Sequence, residues 1–147
     1  MESGKEAISL DGTHLMADLI GCDKAVSGNS DKIKEFLNTL PTMLGMKKIM
    51  KPYIVVYQGG DTWDKGGISA FVMIAESHIS IHTFPHDGVI TADVYSCKPF
   101  DVQKAVTYFK EFFHSSEEKL QIAKRELEIV RERNLKEVTA KAVIRSK

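Results

Sequence analysis

The sequence predicts an α+β two-layer sandwich, an antiparallel sheet with helices packed on one face, on three observations. Segments with strand-like alternation are grouped in the middle of the chain instead of being interleaved with helices. Two amphipathic helical stripes, one early and one late, each carry a single apolar face that needs a sheet to cover. The 147 residues, 43% of them hydrophobic, suffice for one core that buries about two-thirds of the unfolded surface without a disulfide or structural metal.

His14 to Gly21 alternates between glycines and reads as a short strand. Ser27-Gly28-Asn29-Ser30 is a turn cluster able to cap a helix, and Ile33, Phe36, Leu37 and Leu40 follow at helical spacing, fading near Pro41 and Gly45. Between Met46 and Gln58 the run PYIVVY suits a second strand. A glycine-rich loop, Gly59-Gly60-Asp61 through Gly66-Gly67, comes next and suits a binding segment. Ile68 to Ala75 and His78 to Thr83 read as one long strand or two consecutive ones, and Val89 to Ser96 alternates as another. From Asp101 onward Val102, Ala105, Val106, Phe109, Phe112 and Phe113 share one helical face. The expected order is therefore β-α-β-β-β-α. After His114 the chain turns highly charged: Leu120, Ala123, Leu127 and Val130 fit a helix stripe, while Leu120/Ile122 and Leu127/Ile129 alternate as strand pieces would. With no internal repeat, residues 1–147 read as one domain with a charged tail from about residue 115.

Twenty Lys and Arg balance twenty Asp and Glu, so the chain has no basic field for nucleic acid. Its longest apolar run, Ala70 to Ala75, is far shorter than the ~20 residues a membrane helix needs. The first fifteen residues carry Glu2, Lys5, Glu6 and Asp11 and offer no secretory apolar stretch, so a cytoplasmic location is expected. Cys22 and Cys97 are far apart, lack metal-ligand spacing and read as thiols.

The densest run of reactive groups extends from Glu76 through Ser77, His78 and His82 to His86, with Cys97 beyond it. Ser77 does not occupy the strand-to-helix elbow of a serine hydrolase. His78, His82 and His86 would share a face only on a helix, whereas their neighbours favour a strand, where four residues span ~13 Å, too far for one zinc. No metal is expected. Taken singly, the histidines and Cys97 could simply fill a sheet face.

Three strings decide otherwise: D-G-T-H-L-M-A-D-L-I-G-C-D near the start, I-A-E-S-H-I-S-I-H-T-F-P in the middle and T-A-D-V-Y-S-C-K-P-F-D-V-Q-K-A later. Together they resemble the prokaryotic S-adenosylmethionine decarboxylase proenzyme family from about His14 to Phe113. The specific part is the E-S-H-x-S/T-I-H core with a cysteine fifteen residues after its second histidine. The resemblance implies a self-processing enzyme. Ser77 Oγ would attack the Glu76 carbonyl, and loss of the Ser77 α-proton from the resulting ester would release residues 1–76. Hydrolysis would leave a pyruvoyl group on residues 77–147. His82 matches the family's base and Ser69 a serine that assists processing. The pyruvoyl group would form a Schiff base with the substrate amine in place of pyridoxal phosphate. Cys97 takes the proton-donor position, a task suited to a thiol near neutral pH. The family also implies polyamine biosynthesis and a dimer of cleaved protomers.

Trp63 and Phe84 match aromatic positions that hold the adenine and the sulfonium, the latter attracted by a ring face at ~0.5 to 2 kcal/mol. Four residues after His82 the family carries a glutamate that grips the ribose hydroxyls; here the residue is His86. A histidine cannot accept two bonds from a diol, and lost charge-assisted bonds cost ~1.5 to 3 kcal/mol each. Asp87 could replace the glutamate if the turn shifts by one residue. Otherwise the substrate could be a free basic amino acid, arginine or ornithine, with Asp61 and Asp64 on the glycine-rich loop serving its side chain. A non-catalytic binding partner is the reading of another class, and the presence of Ser77, His82 and Cys97 speaks against it.

Overall fold

The computed structural model describes residues 4–133 and 138–144. Seven antiparallel strands form one sheet: β1 (Gly4–Ile20), β2 (Tyr53–Tyr57), β3 (Gly67–Ile74), β4 (Ser77–Phe84), β5 (Val89–Ser96), β6 (Glu117–Arg133) and β7 (Val138–Ile144), in the spatial order β2-β3-β4-β5-β1-β6-β7. Three helices accompany them, α1 (Lys24–Ser27), α2 (Ser30–Met43) and α3 (Val102–Phe113). This is the expected sandwich.

Alternation along each central strand makes the sheet two-faced. Leu15 and Leu19 of β1, Ile68 and Val72 of β3, Ile79 and Ile81 of β4, and Ile90 and Val94 of β5 are buried in one core. Ile33, Phe36, Leu37 and Leu40 of α2 and Ala105, Val106, Phe109 and Phe113 of α3 close that core. Phe36 ties the two helices together, its ring 4.8 Å from Phe109 and 5.0 Å from Phe113. Both helices begin on side-chain caps, Asn29 for α2 and Asp101 for α3, which satisfy amides that have no helical partner. Among the described residues no helix is long and apolar enough to cross a membrane.

Two expectations change in detail. The first strand starts at Gly4 instead of His14, because β6 pairs with β1 along its whole length, from Gly4↔Arg133 to Ile20↔Glu117. Asp11-Gly12 has the composition of a turn, but here the glycine admits the neighbouring Tyr95, since a Cβ on Gly12 would meet its hydroxyl oxygen at 2.9 Å and its ring at 3.0 Å. The charged stretch after His114 resolves as strand, and its Lys, Glu and Arg residues suit the outer, solvent-washed part of a sheet.

Among the described residues no helix covers the opposite face. Tyr53, Val55, Tyr57, Phe71, Met73 and Phe84 are exposed there on β2, β3 and β4, an apolar patch of the kind that marks an interaction surface.

Candidate active site

The Glu76–Ser77 bond lies in the tightest of the described turns of the sheet. Ile74 pairs with Ser77, leaving only Ala75 and Glu76 to join β3 to β4. The turn contains no glycine or asparagine, and Ser77 has a φ of +154°, a value L-residues rarely adopt. Such strain persists only where the surroundings impose it. Here they do so through three bonds. The Cys97 N–H donates to the Glu76 carbonyl at 2.8 Å, the Lys47 N–H donates to Glu76 Oε1 at 3.0 Å, and the Ala75 N–H donates to the Lys47 carbonyl at 2.7 Å.

Glu76, Ser77 and Cys97 are thus gathered at one end of the sheet. Ser69 and His82 form a second group: they face each other across β3 and β4, and Ser69 Oγ and His82 Nδ1 share a 2.9 Å hydrogen bond. Within one chain the two groups do not meet. His82 is five residues along β4 from Ser77, about 16 Å at ~3.3 Å per residue, and an odd offset turns the two side chains to opposite faces.

Phe84, His86 and Asp87 lie beyond His82, Phe84 at the end of β4 and the other two in the β4–β5 turn, and all three are exposed. Trp63, on the loop before β3, is 92% exposed and packs on nothing in its own sheet. The loop acids already serve their own loop: Asp61 Oδ1 accepts from the amides of Trp63 and Asp64 at 2.8 Å, and Asp64 Oδ1 accepts from the Gly66 amide at 3.1 Å. The Tyr57 phenol is raised by its hydrogen bond to Asp64. Among the described residues no group of three His, Cys, Asp or Glu side chains could hold a metal ion.

The two thiols differ. Burial pushes Cys22 up to about 11, so at pH 7.5 its thiolate fraction is below about one in a thousand, whereas Cys97 is only half-buried at the end of β5. Iodoacetamide at neutral pH is expected to label Cys97 and spare Cys22, as peptide mass mapping would read. Equal labelling of both would contradict the burial of Cys22.

A group of residues on the uncovered face was not singled out by the sequence motifs. His14 and Asp93 share a 2.8 Å hydrogen bond, and Tyr95 sits between His14 and His78. The alternation of Val89 to Ser96, continued to Cys97, was the available signal, since it places Asp93 and Tyr95 on the face of Cys97.

The profile of the S-adenosylmethionine decarboxylase family matches residues 13–126. The chain belongs to that family. Proteins called S-adenosylmethionine decarboxylase proenzyme resemble it in both bacteria and archaea. That of Clostridium botulinum is 38% identical over 101 residues, 68% of this chain and 81% of the relative. That of Thermococcus gammatolerans is 35% identical over 106 residues, 71% of this chain and 68% of the relative. The crystal structure of the adenosylmethionine decarboxylase from Aquifex aeolicus superposes with a TM-score of 0.64 at 30% identity, covering 76% of this chain and 88% of that one. This decarboxylase family membership makes the chain a carboxy-lyase acting on S-adenosylmethionine.

Proposed function

We propose that this member of the S-adenosylmethionine decarboxylase family cuts its own chain between Glu76 and Ser77 and performs its family's reaction on the pyruvoyl group left at residue 77. The observation that carries this reading is the strained Ser77 beside a carbonyl that already accepts a hydrogen bond from the Cys97 amide. Attack of Ser77 Oγ on that carbonyl carbon builds negative charge on its oxygen, and a donor at 2.8 Å is where an oxyanion is stabilised. Collapse breaks the Glu76–Ser77 C–N bond, moves a proton to the nitrogen and leaves an ester. Removal of the Ser77 α-proton then expels the Glu76 carboxylate, and hydrolysis of the dehydroalanine releases ammonia. Relief of the φ strain favours leaving the peptide state.

The electron sink for loss of carbon dioxide is supplied by the pyruvoyl carbonyl at residue 77. Cys97, whose backbone contacts Glu76, brings its thiol to the same end of the sheet, where Sγ can deliver a proton to the substrate carbon. Ser69 and His82 act on Ser77 of a second copy, because the ~16 Å separation in one strand denies them their own. The exposed apolar face supports such a homodimer, since stacking two copies through it would bring opposite strand ends together. Trp63 and Phe84 hold the adenine and sulfonium, and Asp87, next to His86 in the turn, takes the ribose hydroxyls. The product feeds aminopropyl transfer to polyamines, and two free thiols fit a reducing cytoplasm.

Release of labelled carbon dioxide from carboxyl-labelled S-adenosylmethionine, ornithine and arginine, assayed in parallel, tests the substrate. Release is expected from S-adenosylmethionine alone, the substrate of the family, with Asp61 Oδ1 and Asp64 Oδ1 serving to hold their own loop. Release from an amino acid only would overturn the assignment of the nucleoside contacts.

A further inference from the structure

Tyr95 links four adjacent strands beside the scissile bond. Its ring lies 5.6 Å from that of His78, its partner on β4 and the residue following Ser77, and 5.8 Å from that of His14, its partner on β1. It reaches over Gly12, where any Cβ would collide with it. Opposite Gly12 on β6 stands Arg125, whose guanidinium sits 4.6 Å above the Tyr95 ring.

We propose that Tyr95 is a positioning residue for Ser77, and that Arg125, contributed by the charged C-terminal stretch, holds the Tyr95 ring in place. The proposal rests on Ser77 being the processing residue. The preceding residues are anchored by the Cys97 and Lys47 bonds, but a φ of +154° at Ser77 is maintained only if the following peptide is held too. Ser77 is the first rung of β4, where a ladder frays most readily, and the first side chain after it is His78. Tyr95 packs on that side chain and is itself held from the far side by Arg125 and by the space Gly12 leaves. The contacts with His78, His14 and Arg125 use the ring, and the hydroxyl oxygen enters only at Gly12, so Tyr95→Phe keeps the packing on His78.

Tyr95→Ala, Tyr95→Phe, Gly12→Ala and Ser77→Ala chains made by cell-free synthesis, with intact mass followed over time and melting temperature recorded for each, test this. Tyr95→Ala is expected to slow cleavage on the order of tenfold to a hundredfold, the loss that misplacement of reacting groups by about 1 Å brings. Tyr95→Phe should cleave at close to the unaltered rate, while Gly12→Ala, which displaces the ring without touching it chemically, should slow cleavage as Tyr95→Ala does. A Tyr95→Ala protein that stays folded and cleaves at the unaltered rate would overturn the proposal, as would a Tyr95→Phe protein as slow as Tyr95→Ala. If Ser77→Ala itself cleaves after residue 76, the underlying assignment of Ser77 fails instead.

Discussion

Ser77→Ala is expected to yield one uncut 147-residue chain with no release of carbon dioxide from S-adenosylmethionine. The substitution removes the hydroxyl proposed to attack the Glu76 carbonyl without breaking a turn, and the alanine keeps the backbone bonds from Cys97 and Lys47 available. Loss of cleavage and loss of activity should come together, because the same residue is nucleophile first and electron sink afterwards. Cys97→Ala should separate them: the Cys97 amide that bonds the Glu76 carbonyl survives, so the chain should still be cut, but turnover should fall by roughly 10²- to 10⁴-fold, the usual contribution of a positioned acid. Gel electrophoresis reads the first effect and labelled carbon dioxide the second.

The second large effect is complementation between two inactive chains. His82→Ala alone and Ser77→Ala alone should each remain uncut. Co-expressed, they should form mixed dimers in which the Ser77→Ala subunit lends Ser69 and His82 to the intact Ser77 of its partner. With random pairing half the dimers are mixed and each cuts one of its two chains, so about a quarter of all chains should be cleaved. The geometric ground is the five-residue offset along β4, which neither a rotamer change nor a small shift of the strand can close. An absence of cleaved chains in the mixture, with mixed dimers demonstrated by mass, would mean that His82 acts within its own chain, and cleavage of the His82→Ala chain on its own would mean that another base serves Ser77.

The central strands and both long helices were legible because their apolar periods are clean: Ile79, Ile81 and Thr83 face the helices while His78, Ser80 and His82 do not. The boundary between β3 and β4 was not, since Ala75-Glu76 carries none of the residues that mark a two-residue turn. Tertiary bonds from Lys47 and Cys97 impose that turn, and Ser77 takes a conformation usually left to glycine. The N-terminal half of β1 was hidden by Asp11-Gly12, whose local signal says turn while the room for Tyr95 requires the glycine within a strand. In β6, charges dominate both a helical and an alternating pattern, and only the long pairing with β1 selects the strand. Motif singles out Ser77, His82 and Cys97, but motif spacing does not tell that His82, with Ser69 opposite it on β3, lies five residues along β4 from Ser77 and on the other face. The contribution of Arg125 depends on a register between β1 and β6 that no local pattern announces.

Intact-mass analysis of the purified, unaltered protein tests self-processing at Ser77 most directly. The expected result is two chains, residues 1–76 ending in a free carboxylate and residues 77–147 lighter than the corresponding peptide by the difference between a serine amino terminus and a pyruvoyl group. A borohydride step should then add two hydrogens to the second chain only. A single mass for the intact 147 residues in folded protein that releases carbon dioxide from S-adenosylmethionine, or a second chain beginning with an ordinary serine amine, would contradict it.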